Sequence, residues 1–204
     1  MKTIKKEYKL AFTYFRENLL KTFLLGTLFF IIASVVFTFA IKNNSELMDS
    51  IITRFKAMVE KVSRNGKIDF FGIFLNNVQA CFLMFVYGIL PFLCFPALSL
   101  LGNAVLIGTV LGMYMNAGKN VAKVVTAGIL PHGIFELTAV FLSFSMGMFL
   151  CINMTKRVTQ KETIMPLRKI FAESIRLFVL FIIPLLLVAA GIESYITPKQ
   201  VGMV

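Results

Sequence analysis

The chain has 204 residues, of which 58% are hydrophobic and 15% charged, and its formal net charge is +11. Soluble domains are about 45–50% apolar and about 25% charged, so this composition excludes an ordinary soluble domain and an intrinsically disordered chain alike. The basic residues lie between long apolar runs rather than on one soluble face, which predicts an integral membrane protein in contact with lipid and no nucleic-acid partner.

The first 41 residues predict a surface helix followed by a membrane span. Residues 1–22 are basic, and apolar residues recur among them at helical spacing, which indicates an amphipathic helix lying on the membrane surface. Residues 23–41 carry no charge, and their length is close to the roughly 20 residues that an α-helix needs to cross a bilayer. They therefore form the first predicted span.

The polar segment 42–69 carries an apolar stripe made of Leu47, Ile51, Phe55 and Met58. Spacings of four, four and three residues predict an amphipathic helix. Packing within the chain is the simplest explanation of this stripe, and the membrane surface is another. An exposed stripe outside the membrane would instead dock a protein partner, because an apolar face of this size is seldom left in water.

Three further apolar segments follow. Residues 70–118 contain no Lys, Arg, Asp or Glu and are too long for one span, so they predict two spans at 73–94 and 99–117 joined by a tight turn. Pro131 then predicts a break between a short interfacial helix at 119–130 and a fourth span at 132–153, because proline suits the first turn of a helix. A basic segment at 154–176 precedes a fifth span at 177–192.

The predicted fold is therefore all-α, a single membrane domain over residues 1–204 that forms a polytopic helical bundle. It has about five transmembrane helices and additional amphipathic interfacial helices. With the N-terminus in the cytoplasm, the inner segments hold 12 Lys and Arg residues and the outer segments hold 9. This bias predicts that residues 154–176 are cytoplasmic and that residues 42–69 are outside.

Four asparagines lie within or at the ends of the predicted spans, namely Asn76, Asn77, Asn103 and Asn116. Capping of helix ends at the interface explains part of this set. A polar side chain inside a bilayer needs a partner, and Asn77 and Asn103 are expected to find theirs on neighbouring helices.

Small residues recur every four positions along the third predicted span, at Ala104, Gly108 and Gly112. Such a face lets the backbone of another helix approach closely. The approaching helix could belong to this chain or to a second copy, so a homo-oligomer is an open alternative.

His132 and Glu136 are four residues apart and share one face of the predicted fourth span. They could bind a metal ion or a proton. Zinc needs three or four protein ligands, however, and the chain has one His and no third ligand at a telling spacing. We therefore predict a structural polar pair with no metal, cofactor or catalytic residue, in which Pro131 starts the span and Gly133 leaves room for a neighbouring backbone.

The sequence from the second to the fourth predicted span resembles the stage II sporulation protein M family of integral membrane proteins. The resemblance rests on Asn76-Asn77, Gly88, Gly102-Asn103 and above all PHGIFEL at 131–137. It implies a non-catalytic scaffold of the cell membrane that localises peptidoglycan-remodelling partners, such as stage II sporulation proteins D and P, at the septum during spore engulfment. Family members often carry a proline two residues after the Glu of this motif, where this chain has Thr138.

Two other functions stay open from the sequence. A membrane subunit of a transporter or channel would explain the glycines, the interrupted fourth segment and an acid inside the membrane. An intramembrane enzyme would depend on His132 and Glu136 alone, and the sequence contains no nucleophile and base at a recognised spacing, so no enzymatic activity is expected.

Overall fold

The computed structural model describes residues 2–42, 44, 46, 50–51, 53, 63–64, 67–68, 70–160, 162 and 164–195. Five helical stretches among them are long and apolar enough to cross a membrane: Ile4–Lys42, Phe70–Ile89, Phe95–Asn116, Leu130–Val158 and Leu167–Tyr195. The prediction of an all-α bundle with five spans is confirmed, and the protein is a multi-pass membrane protein.

The helices whose bounds the structure describes are α1 (Lys2–Tyr14), α2 (Leu20–Lys42), α3 (Phe70–Val86), α4 (Phe95–Asn116), α5 (Val121–Lys123), α6 (Leu130–Val158), α7 (Leu167–Leu177) and α8 (Ile183–Tyr195). Three π-helical turns join consecutive helices, at Phe15–Leu19, Val124–Ile129 and Phe178–Ile182, and a 3-10 turn at Tyr87–Ile89 follows α3. Two short antiparallel strands, β1 (Ser63–Arg64) and β2 (Lys67–Ile68), lie between the first and second spans.

The predicted amphipathic helix at 1–22 is present, but it is continuous with the first span and one face rests on protein. The π turn after α1 leads straight into α2. The hydroxyls of Tyr14 and Ser174 lie 3.2 Å apart, and Arg176 on α7 donates a hydrogen bond of 2.6 Å to Glu7. Helix α7 therefore covers the buried face of α1, and the expectation that the helix lies on the membrane surface stays a prediction.

The predicted break at Pro131 is wrong. The chain passes from α5 through the π turn Val124–Ile129 into α6 without leaving helical structure. A proline lacks the backbone N–H and its ring collides with the carbonyl four residues earlier, and a wider π turn relieves that collision. Pro184 is preceded by the π turn Phe178–Ile182 in the same way, so both spans are longer than predicted.

The second and third spans are joined by the predicted tight turn, which falls a few residues earlier than expected. Phe92 and Cys94 in this turn have positive φ angles of 66° and 45°. The turn is anchored to α6, because the Phe92 N–H donates to the Thr155 hydroxyl at 3.0 Å and the Cys151 thiol donates to the Leu90 carbonyl at 3.4 Å.

Helix α6 occupies the centre of the bundle and packs against α2, α3, α4, α7 and α8. Its middle is buried on all sides, with Ala139, Met146 and Leu150 fully inaccessible. A helix that is apolar around its whole circumference is typical of a core position. By contrast, α2 exposes a row of large apolar side chains, including Leu24, Leu28 and Ile32, as a lipid-facing helix would.

Glycines set the closest helix contacts. A Cβ atom at Gly147 of α6 would lie 2.5 Å from the Met84 carbonyl oxygen of α3, and one at Gly88 would collide with the Gly147 backbone. A Cβ atom at Gly108 would lie 2.7 Å from Phe37 Cβ, and one at Gly112 would lie 3.0 Å from the Thr38 carbonyl oxygen. Gly108 meets residues 34–38 and Gly112 meets residues 38–41, so α2 runs parallel to α4. Gly147 meets Met84 and Cys151 meets Leu90, so α3 runs parallel to α6.

We predict that Gly108→Ala lowers the thermal stability of the purified protein, while Gly102→Ala in the same helix leaves it unchanged or raises it. The added methyl at Gly108 meets the α2 backbone, an overpacking cost of about 1–3 kcal/mol. At Gly102 no described atom lies within 4 Å of the new Cβ. Thermal unfolding in detergent measures both variants, and equal loss at the two positions would contradict this packing.

Candidate functional site

A cluster of three titratable side chains lies where α6 begins and α8 ends. His132 and Glu136 are on α6 and Glu193 is on α8, and one potential ligand atom from each lies within 4.8 Å of the other two. All three side chains are partly buried. The spacing of four residues places His132 and Glu136 on one helix face, and the packing of α8 on α6 supplies Glu193. We call these three residues the polar cluster.

Both helices that carry the polar cluster are entered through a π turn. One extra residue in a helix rotates every later side chain by about 100° around the axis. The π turn at Val124–Ile129 thereby sets the rotation of α6 relative to α5, and the turn at Phe178–Ile182 sets the rotation of α8, which carries Glu193, relative to α7. Single-turn π segments are frequent at functional sites.

Glu136 also lines a small cavity among α3, α4 and α6. Asn77 of α3, Asn103 of α4 and Cys81 contribute to its wall, and its volume is about 20 Å³. That is room for about one water molecule, which needs polar partners such as these. The cavity therefore links the polar cluster to the amides of two further spans.

The hydrogen bonds of these asparagines run within their own helices. The Asn103 amide donates to the Ser99 carbonyl at 3.0 Å, and the Asn76 amide donates to the Asn77 side-chain oxygen at 3.5 Å. Within the part of the chain that the structure describes, Asn77 and Asn103 therefore share a cavity and do not form the expected bonds across helices. Asn116 is the last residue of α4.

Two residues of the motif occupy the first turn of α6. Pro131 is the second residue of α6, directly after the π turn Val124–Ile129. Gly133 is buried, but a Cβ atom there would meet only the Ile129 side chain, at 3.4 Å, among the described atoms. The predicted role of Gly133 in admitting a neighbouring backbone is therefore wrong.

The small-residue face of α4 lies against α2. Ala104, Gly108 and Gly112 are all buried, and the two glycines contact residues 34–41 of the first span. Within this chain the face is therefore occupied by another of its own helices.

The apolar stripe predicted at 42–69 lies mostly outside the described residues. This applies to Leu47, Phe55 and Met58. Ile51 is described, is helical and is partly buried. The docking role of the stripe stays a prediction.

Asn153 is a structural residue that the sequence analysis missed. Its fully buried amide donates to the Phe149 carbonyl at 2.9 Å, and its oxygen accepts from the N–H groups of Ile164 and Met165 at 3.0 and 3.2 Å. It thereby fixes the loop between α6 and α7. The sequence offered one indication of this role, namely a single Asn near the end of an apolar run.

Comparison with known proteins places the chain in a family. The sequence profile of the stage II sporulation protein M family matches residues 6–198. The chain belongs to this family. The match spans all five membrane helices and all three residues of the polar cluster, so the resemblance noted around 131–137 extends over nearly the whole protein.

The chain is similar to an uncharacterized protein of Methanocaldococcus jannaschii. It is 32% identical over 135 residues, which are 66% of this chain and 74% of the relative. No solved structure matches the chain.

We predict that Glu136→Gln is tolerated better than Glu136→Ala. Glutamine keeps the shape and part of the hydrogen bonding, whereas alanine leaves buried polar neighbours unpaired at a cost of about 1–3 kcal/mol. His132→Ala should resemble Glu136→Ala, and the double variant should cost less than the sum because the residues interact. Thermal unfolding in detergent is the measurement.

Thr138→Ala is the matched control for this series, because the Thr138 hydroxyl bonds only within its own helix, to the Ile134 carbonyl at 2.6 Å. Additive losses for His132→Ala and Glu136→Ala would show that the two side chains do not act as a unit.

Proposed function

We propose that this chain is a non-catalytic scaffold that localises peptidoglycan-remodelling proteins, such as stage II sporulation proteins D and P, at the septal membrane during spore engulfment. The observation that carries the proposal is the close-packed, glycine-mediated interior of the bundle. Membership of the stage II sporulation protein M family supports the pathway. A rigid set of spans suits a protein whose task is to hold others in place.

The space around the polar cluster supports a static role. The cavity beside Glu136 has a volume of about 20 Å³, whereas pockets for small molecules are about 300–1,000 Å³. At Gly147 the backbone of α6 directly contacts the backbone at the end of α3 and at Gly88 in the turn that follows it. Helices in such contact are costly to slide past one another.

The hydroxyl groups of the spans also support a role other than catalysis. Ser145, Thr109 and Thr38 each donate a hydrogen bond of 2.6 to 2.7 Å to a carbonyl one turn earlier in their own helix. A nucleophilic hydroxyl instead needs a base within hydrogen-bond reach. These hydroxyl groups thus have their hydrogen-bonding capacity satisfied within their own helices inside the membrane.

The proposal places the protein in the cell membrane with its N-terminus in the cytoplasm. The Lys and Arg bias favours this orientation. The loop between the first and second spans is then outside, where peptidoglycan-remodelling partners act, and it carries the apolar stripe at 47–58.

A second candidate function is a membrane subunit of a transporter or channel. The polar cluster favours it, because ionisable groups inside a membrane bundle often mark an ion or proton pathway. Ion flux through proteoliposomes containing the purified protein separates the two functions. A flux that Glu136→Gln abolishes without unfolding the protein would favour transport over the scaffold.

We predict that a cysteine at position 56 reacts with an impermeant thiol reagent added outside intact cells, and that one at position 161 does not. The background is Cys94→Ser, because Cys94 is exposed while Cys81 and Cys151 are buried. Labelling after lysis confirms that each site is reactive. Outside labelling at 161 but not at 56 would reverse the orientation.

We predict that Phe55→Asp abolishes recovery of partner proteins in co-purification from native membranes and leaves insertion intact. A charge in the apolar stripe removes the docking face. Thr53→Asp is the matched control, since the exposed Thr53 lies off the stripe and the variant introduces the same charge. Unchanged recovery with Phe55→Asp would mean that the stripe packs inside the chain.

A further inference from the structure

The polar cluster has the donor set of a transition-metal site. The sequence alone indicated two of these donors, and the structure adds the third, Glu193. His132 and Glu136 alone fall short of the three protein ligands that zinc requires. Glu193 completes the set from another span, with all ligand atoms within 4.8 Å of one another. The donors are one imidazole and two carboxylates, on two helices that pack together.

We propose that His132, Glu136 and Glu193 bind one divalent transition-metal ion, with zinc as the best-fitting case, and that the ion clamps the start of α6 to the end of α8. Tetrahedral zinc with bonds of about 2.0–2.2 Å holds its ligand atoms about 3.4 Å apart. The three donors therefore need to close by about 1.4 Å at most, which rotation of the Glu side chains provides.

Charge favours the same assignment. Two carboxylates face each other inside an apolar bundle, where unpaired negative charge is costly. Among the described residues, no Lys or Arg forms an ion pair with Glu136 or Glu193, since the Arg176 guanidinium is engaged by Glu7 and Glu173 at the other side of the bundle. A divalent cation balances both carboxylates at once.

The three protein ligands leave one coordination position to water, and the surroundings of Glu136 support it as a ligand. Three protein ligands leave tetrahedral zinc one open position. The cavity bounded by Glu136, Asn77 and Asn103 has room for about one water and no larger ligand. A water there can hydrogen-bond Glu136 and the two amides, which supports this ligand from α3 and α4. The imidazole favours zinc over magnesium, a cation that prefers all-oxygen ligands.

The partly buried state of the three side chains leaves a route for the ion from the end of the bundle. This is the end at which α8 finishes and α3 begins, where the rings of Tyr195 and Phe70 lie 6.4 Å apart. The metal site is independent of the proposed scaffold function, because a scaffold without a metal and a metal-clamped transporter are both physically consistent.

The test is zinc binding by the full-length protein, purified with a tag that contains no His. Chelator-treated protein is titrated with Zn²⁺ alone, and bound metal is counted by elemental analysis. We expect one zinc per chain for the native protein, and an affinity at least about tenfold lower for Glu193→Gln and for His132→Gln. Glu17→Gln removes the same charge at an exposed position of the first span and should bind as the native protein does.

Thermal unfolding supplies a second readout that a misfolded variant cannot mimic. Zinc should raise the melting temperature of the native protein and of Glu17→Gln, and chelator should reverse the rise. Glu193→Gln should melt cooperatively with no response to zinc. The proposal is overturned if the native protein binds no zinc, if the variants bind zinc equally well, or if a large excess of Mg²⁺ displaces the zinc. Absence of zinc binding would mean that protons, and not a metal ion, neutralise the carboxyl groups.

Discussion

The packing of α6 is the constraint on which the rest of the structure depends. A helix buried on all sides needs neighbours around its whole circumference, and five other helices provide them. Small residues make this possible, because Gly147 admits the backbone of α3 and Gly26 of α2 faces the ring of Phe144 on α6. In lipid, where the hydrophobic effect between spans is absent, such close van der Waals contact is the main force of association.

The second requirement is that polar groups inside the bundle be satisfied without water. Most hydroxyls meet it locally by bonding to a carbonyl one turn earlier, as Ser145 does. Asn153 meets it by holding the N–H groups of the loop that follows α6. The buried hydroxyls of Ser34 and Ser143 do not meet it among the described residues. The polar cluster is the charged exception, since its two carboxylates cannot satisfy each other while both are charged. That imbalance marks it as the place in the described bundle where a proton or a cation has a role.

The number of spans was predictable, because charge-free runs of sufficient length have few alternatives in a membrane protein. The ends of the spans were not predictable, because an apolar run stops at the first charged residues whereas the helix continues through them. Lys156 and Arg157 lie in the last turn of α6, where cations favour the helix dipole. The interruption expected at Pro131 failed for a related reason: a π turn before the proline lets the helix continue.

The candidate site was predictable only in part. Local spacing is enough to pair His132 with Glu136, but Glu193 reaches them through the packing of α8 on α6, which no sequence period encodes. The π turns add to the difficulty, because each changes the face that later residues occupy. Asn77 and Asn103 were recognised as intramembrane polar groups, yet their shared cavity with Glu136 depends on how three spans meet.

Hydrogen–deuterium exchange in lipid nanodiscs tests most directly whether the bundle is one rigid body built around α6. The account predicts that the backbone amides of residues 139–151 exchange most slowly in the chain and as a single population, because the whole helix is enclosed. Two isotopic populations over this stretch, interconverting as the spans open and close, would contradict it and would indicate the alternating states of a transporter.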